Sequence, residues 1–296
     1  MKLKVTIGVC VRNCEDTIAR TIKSVMHQTY PHELMEIIFV DDGSEDRTLS
    51  IIKKHVKKMD IKAKVFHTTW RGLGAARNTV VKNASGEYII WVDGDEELER
   101  KFVEKQVKFL EANPKIGITV GIFYLPKQNV IAKLEMLPFV INRITRINEK
   151  RFLKLPGTGG AAFRIQAIKQ VGGFDETLKG AGEDIEIAYR IRKAGWLIGV
   201  TDARYYERRG NVKTLRELWN KYLWYGYGNY KVYVKHKGVI EPAKMTPLAG
   251  IIAGALYAAK AYPLIREKRL FLLLPATFFL KFAAWCIGFT LSSLKC

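Results

Sequence analysis

The sequence predicts an α/β fold with a mostly parallel central sheet. Short apolar, β-branched runs recur through the first hundred residues, and stretches with apolar residues at helical spacing separate them. Polar clusters rich in Asp and Asn follow directly on the ends of those runs. In such sheets ligands bind outside the carboxyl ends of the strands, so these clusters are the candidate site.

The first run, residues 5–11, superficially looks like a secretory signal. Its apolar core is short, and Arg12-Asn13 stands where a small-residue cleavage site would be, so it reads as strand one. Residues 15–29 follow as a helix with Ile18, Ile22, Val25 and Met26 on one face. Residues 36–40 form a second buried strand that ends in Asp41-Asp42-Gly43-Ser44. Ser44 is expected to cap a helix with Glu45 and Asp46 in its first turn and Leu49, Ile52 and Val56 facing inward. Residues 63–67 are strand three, and residues 87–92 are the next strand, after a short helix. An amphipathic helix over 99–113 and a strand over 116–125 come next. Residues 126–155 mix apolar and basic side chains with little periodicity.

Three stretches carry candidate chemistry. In Asp93-Gly94-Asp95, two carboxylates one residue apart repel unless a cation or hydrogen bonds satisfy them, and Gly94 permits the sharp turn that faces them to one point. Hard oxygen ligands of this kind suit Mg²⁺ or Mn²⁺ bridged to substrate phosphates; a plain polar turn is the other reading. Around Trp70-Arg71-Gly72-Leu73-Gly74, small residues allow close backbone approach, and Arg71 and Arg77 suit phosphate oxygens. That stretch lacks the spacing of a dinucleotide fingerprint, and no Walker lysine follows. Glu183-Asp184, after Gly180-Ala181-Gly182, opens a helix with Ile187, Ala188 and Ile191 inward and Gly195 at its end. Acidic residues at a helix start are favoured by capping and the dipole alone.

The chain has 296 residues, enough for one large domain and an appendage. Its 49 Lys and Arg against 29 Asp and Glu give a formal charge of +20, which attracts nucleic acid, anionic lipid or phosphorylated substrates. Cys10, Cys14, Cys286 and Cys296 make no disulfide framework or zinc pattern, and the histidines are scattered. Reduced thiols and a cytosol-facing domain fit this usage.

Four ordered stretches, VTIGVCVRN, EIIFVDDGSEDRT, RGLGAARN and ASGEYIIWVDGDEEL, together resemble family 2 inverting glycosyltransferases. The resemblance implies a GT-A (Rossmann-like) fold, a nucleoside diphosphate sugar donor with UDP favoured over GDP, and Mn²⁺ or Mg²⁺ as cofactor. It places the nucleobase at Asp42 with Asp41 beside it, and the donor site also takes in Asn13, Arg71 and Gly94. The ribose and the metal fall to Asp93 and Asp95, and the phosphates to Arg77. The general base falls to Asp184, with Glu183 its neighbour, and Gly159 and Gly160 lie in the acceptor region. Where a PTYN-like tetrapeptide is common in the family, this chain has Cys10-Val11-Arg12-Asn13. The QxxRW motif of processive synthases is absent, which implies single transfers.

From Arg204 onward, Lys and Arg alternate with Tyr and Trp, and residues 246–259 and 270–294 are apolar apart from Lys281. Basic and aromatic residues before apolar segments suit a membrane interface. Lys281 near the middle of the second segment weighs against a spanning helix and leaves interfacial helices open. The expected organisation is a catalytic domain over 1–203, divided near 98 into donor and acceptor halves, then a basic aromatic helical segment over 204–244 and two hydrophobic helices over 245–296. The expected partners are the sugar donor, a lipid-linked or saccharide acceptor and membrane lipids, with no nucleic acid. The expected location is the cell membrane, with the catalytic domain on its cytoplasmic face.

Overall fold

The computed structural model describes residues 4–124, 129–148, 157–207 and 212–295. The elements run β1 (Val5–Val11), α1 (Ile18–Met26), β2 (Met35–Asp42), α2 (Thr48–Val56), β3 (Lys62–Thr68), α3 (Leu73–Asn83) and β4 (Tyr88–Trp91). They continue β5 (Glu96–Leu98), α4 (Phe102–Ala112), β6 (Ile116–Phe123), α5 (Val130–Asn148), β7 (Ala161–Arg164) and α6 (Ile165–Gln170). The last are α7 (Glu183–Lys193), β8 (Leu197–Glu207), α8 (Leu215–Lys235), α9 (Pro247–Ile265) and α10 (Leu270–Ser293).

The strands form one mixed sheet in the order β3-β2-β1-β4-β7-β6-β8-β5. Strands β1, β2, β3 and β4 pair in parallel, as does β6 with β8. β7 is antiparallel to both its neighbours, and β5 to β8. The continuous apolar runs of the first strands follow from burial on both faces. Ile37 and Phe39 of β2 join Ile7, Ile22 and Phe102 in one core, while Ile38 and Val40 join Trp91, Phe163 and Ile187 in another.

The structure differs from the expectations at three places. Ser44 caps no helix: α2 begins only at Thr48, and Ser44 Oγ instead accepts from the Asn13 N–H at 3.0 Å. The aperiodic stretch contains the helix α5, started by Asn129, whose Oδ1 accepts from the Ala132 N–H at 2.9 Å; residues 126–128 and 149–155 lie outside the described residues. The sheet continues through β8 to Glu207, so Tyr205, wholly buried, is a sheet residue and not part of a basic aromatic helix.

The chain divides into two compact units: Met1–Tyr124, Arg146–Lys179 and Glu183–Gly210 form one, and Leu125–Thr145, Gly180–Gly182 and Asn211–Cys296 the other. The first holds the sheet. The second is helical, and in it Leu134, Leu137 and Ile141 of α5 pack against Ala258, Ala261, Leu270 and Leu274. Helices α9 and α10 are long and apolar enough to cross a membrane.

A buried carboxylate ties the parallel strands together. Glu36 accepts from Thr6 Oγ1 at 2.8 Å and from the Ser85 N–H, and Lys64 Nζ stands 3.2 Å from its other oxygen. Burial alone would raise this carboxyl, but those donors outweigh it and hold it below its ordinary 4.5. Its contribution is therefore complete above that value and is lost as pH falls through the lowered folded value. Glu36→Ala is expected to cost about 1–3 kcal/mol by leaving Thr6 Oγ1 and the Ser85 N–H without their acceptor, while the partly exposed Lys64 turns to water. Urea titration checks this, and Glu36→Gln should flatten the acid limb of the stability curve.

Candidate active site

The carboxyl ends of β1, β2 and β4 deliver the polar clusters to one edge of the sheet. At the end of β2, Asp41 is fully buried, and its Oδ1 accepts from the Ser44 N–H at 2.8 Å. Its Oδ2 has no hydrogen bond, and His67 Nδ1 lies 3.9 Å away. Asp42 is occupied by the next loop: Oδ1 accepts from the Arg71 N–H at 2.8 Å and Oδ2 from the Gly72 N–H at 2.9 Å. Gly43, at φ +77°, is required there, since a Cβ would stand 2.8 Å from the Trp70 nitrogen. Asn13, at φ +51°, clamps the end of β1 to this loop, its Oδ1 accepting from the Glu45 N–H at 2.9 Å.

Trp70 is half exposed beside these groups, with the Arg12 guanidinium 5.5 Å and Lys179 Nζ 6.0 Å from its ring centre. The Arg71 guanidinium is held by Glu176, Nη2 to Oε2 at 2.9 Å, so it does not join the acidic cluster described next.

That cluster is organised by Arg77. Its guanidinium, 2 % exposed, donates through Nη1 to Glu183 Oε1 at 2.7 Å, and Nη2 lies 3.7 Å from Asp93 Oδ1. The rings of Trp91 and Phe174 stand 5.7 and 5.6 Å from it. Arg77 therefore bridges the two acidic motifs, and little of it is open to a phosphate. Burial would lower its pKa, but Glu183 and Asp93 more than offset that and hold it raised.

The carboxyls respond in the opposite direction. Asp93, 44 % exposed at its side chain, is pushed up to about 6, first by lost hydration and further by Asp95 and Asp184, against the pull of Arg77. Glu183 is pushed up to about 7 by burial and by Asp184, again against Arg77. Asp184 is raised mainly by burial, opposed by Arg77 and by N–H groups of Ile185 and Thr158; Oδ1 accepts from the Ile185 N–H at 2.7 Å. Asp95 lies within electrostatic reach of Asp93 and Glu96.

Glycines let the segment 157–160 approach the acidic cluster. A Cβ on Gly159 would lie 2.6 Å from Glu96 Oε1 and 3.6 Å from Asp93 Oδ2, and one on Gly157 would lie 3.1 Å from Asp184 Oδ2. A Cβ on Gly160 would collide with the Tyr205 ring, and one on Gly94 would stand 2.7 Å from Val11 Cγ1. The residues 157–160 therefore run between Asp93 and Asp184.

Sequence reasoning missed Glu96. Its buried Oε2 accepts from the Asp93 N–H at 3.0 Å and the Gly160 N–H at 3.3 Å, which fastens the Asp-Gly-Asp turn to the glycine segment. The signal was present as an acid three residues after Asp93. Burial, then Asp93 and Glu207, push its carboxyl well up.

Comparison with known proteins follows the same outline. The model of glycosyl transferase family 2 matches residues 6–172. Poly(ribitol-phosphate) beta-glucosyltransferase of Bacillus spizizenii is 37 % identical over 120 residues, 40 % of this chain and 19 % of that protein. The UDP-Glc:alpha-D-GlcNAc-diphosphoundecaprenol beta-1,3-glucosyltransferase of Escherichia coli is 34 % identical over 138 residues, 47 % of this chain and 53 % of that one. The chain thus covers between a fifth and about half of the length of these relatives. The mannosyltransferase PcManGT of Pyrobaculum calidifontis, solved with GDP-Man and Mn²⁺, superposes with a TM-score of 0.73 over 100 % of this chain and 88 % of that one. At 20 % identity this is a likeness of fold.

Proposed function

The chain belongs to glycosyltransferase family 2, a nucleotide-sugar glycosyltransferase of GT-A fold, and from that premise we propose that it moves a sugar, with inversion, from a UDP-sugar to a lipid-linked or membrane-proximal acceptor. The observation that carries the reading is the convergence of Asp93 and Asp184 on the glycine segment 157–160, with Arg77 between their motifs.

Asp184 is the base in this reading. It takes the proton of the acceptor hydroxyl as that oxygen forms its bond to the anomeric carbon, while the bond from that carbon to the diphosphate breaks on the opposite face. Its raised pKa strengthens it as a proton acceptor. Asp42 holds the nucleoside with Asp93, and the fully buried Asp41 supports it by fixing the turn at Ser44. Arg77 offsets the negative charge that would otherwise keep a diphosphate away, and it fixes Glu183 beside the base.

The donor atoms fit a divalent cation. Asp93 and Asp95 offer hard carboxylate oxygens; lost hydration is the main reason Asp93 is raised, and the neighbouring charge of Asp95 adds a repulsion that a cation would relieve. No group of three or more His, Cys, Asp or Glu suited to a metal is present among the described residues, so Mn²⁺ or Mg²⁺ held by Asp93 and Asp95 needs donor phosphate oxygens as well. When bound, such a cation stabilises the departing diphosphate.

Support for UDP comes from the E. coli relative's donor, and support for a membrane-side acceptor from that relative's diphosphoundecaprenol substrate and from helices α9 and α10. The test supplies labelled UDP- and GDP-sugars to the purified protein with membrane lipid extract or with soluble saccharides. The expected result is Mn²⁺-dependent passage of label from a UDP-sugar into the organic phase. Label confined to soluble saccharide contradicts the acceptor assignment, and transfer from GDP-sugars alone contradicts the base.

A further inference from the structure

We propose that Glu96 is the positioning residue that sets the general base against the cation site, through the segment 158–160 held between them. The proposal rests on the roles given above to Asp93, Asp95 and Asp184.

The scaffold fixes this segment by its carbonyl groups. Tyr205 Oη donates to the Gly159 oxygen at 2.8 Å, and the Gly160 oxygen accepts from the Gly121 N–H at 2.9 Å and from Gln106 Nε2 at 3.3 Å. Its N–H groups turn to the acids instead. The Thr158 N–H donates to Asp184, and the Gly160 N–H donates to Glu96 Oε2 at 3.3 Å. The same Glu96 oxygen accepts from the Asp93 N–H at 3.0 Å. A path of hydrogen bonds and peptide units therefore runs from the Asp-Gly-Asp turn, through Glu96 and the segment, to the base.

The link depends on the length of one side chain and the smallness of another. Glu96 is 1 % exposed, so its bonds are shielded from water, and one carboxylate oxygen serves both N–H groups. Its other oxygen, Oε1, lies where a Cβ on Gly159 would stand only 2.6 Å away. Gly159 is what leaves room for the carboxylate.

Arg77 also joins the two acidic motifs, but it does so at the tips of their side chains, Glu183 and Asp93. Glu96 acts on the backbone of the turn and of the segment, and so fixes where Asp93 and the partner of Asp184 begin. Losing an outer-shell partner of a metal ligand typically costs about 10–100-fold in metal affinity or activity. A misplacement of about 1 Å among reacting groups costs a rate factor of about 10².

The test compares Glu96→Ala, Glu96→Gln, Gly159→Ala and the Glu96→Ala/Gly159→Ala double variant in the full chain, with Asp95→Ala and Asp184→Asn beside them. Sugar transfer with Mn²⁺, Mn²⁺ affinity in the presence of UDP by electron paramagnetic resonance, and UDP binding in EDTA are measured. For Glu96→Ala the expected result is a loss of about 10–100-fold in kcat and about tenfold in Mn²⁺ affinity. UDP binding in EDTA should stay unchanged, because Asp42 is held by other groups. Glu96→Gln keeps an oxygen for both N–H groups and should return both quantities close to wild type. Gly159→Ala should reproduce the loss alone and add little to Glu96→Ala, as residues in contact do. A wild-type kcat or an unchanged Mn²⁺ affinity in Glu96→Ala overturns the proposal, as does Glu96→Gln as impaired as Glu96→Ala, or additive losses in the double variant. If Glu96→Ala fails to fold, Gly159→Ala and Glu96→Gln decide by the same measures. Wild-type transfer in Asp95→Ala and Asp184→Asn would instead overturn the reading of the site on which the proposal rests.

Discussion

Asp184→Asn is expected to lower turnover by about 10²–10⁴-fold while donor affinity stays close to wild type. The variant keeps the shape of the carboxylate and the Ile185 N–H contact at the start of α7, so the helix should form as before. What it loses is the ability to accept a proton at the moment the acceptor oxygen bonds to carbon. The check is nucleotide release at saturating donor, with donor binding followed separately by calorimetry. A loss of less than about tenfold would mean that the acceptor needs little deprotonation, as for a lipid phosphate that is already anionic. That outcome would move the reading to a polyprenyl-phosphate sugar synthase on the same fold.

Arg77→Met should damage stability and activity together. The guanidinium lies buried between Glu183 and Asp93 and is the cation against which Glu183, Asp93 and Asp184 are all balanced. Removing it leaves Glu183, buried and held by Arg77 at 2.7 Å, without its cation, which typically costs about 3–5 kcal/mol. The pocket would respond by binding protons, which also withdraws Asp184 as a base near neutral pH. Arg77→Lys should rescue only part of the loss, because an ammonium cannot reach two acids in the geometry of the planar fork. Urea unfolding and turnover measured on the same preparations check both halves; unchanged stability in Arg77→Met would contradict the bridging role.

Much of the first hundred residues was legible because their structure is written locally. Runs such as residues 37–40 are apolar on both faces, and Asp41, Asp42, Asp93 and Asp95 follow at strand ends where a polar group has no other reason to interrupt the run. The helix over Phe102–Ala112 was readable for the same reason, its buried residues being those at helical spacing. Glu96 was not readable, because in sequence it is one more acid in an acidic turn. Its burial depends on the Gly160 N–H, 64 positions away. Strand β8 was missed because Thr201, Asp202 and Arg204 interrupt it and only pairing with β6 and β5 makes it a strand. Tyr205 looked like part of an interfacial aromatic series, and its place under Gly160 is set by that pairing. Helix α5 was hidden by Pro138 at its middle, although Leu134, Leu137 and Ile141 keep helical spacing. The partner of Arg71 was out of reach as well, since Glu176 lies 105 positions on.

The most direct test of the central claim is donor binding by the full chain in detergent, read as thermal shift across a panel of UDP- and GDP-sugars with Mn²⁺ or with EDTA. Stabilisation by a UDP-sugar that requires Mn²⁺ and disappears in Asp95→Ala is the predicted result, and it would fix both the donor and the metal ligands. The contradicting result is no shift with any nucleotide sugar together with nucleic-acid binding that falls steeply with salt, which would make the charge of +20 the feature that defines the protein.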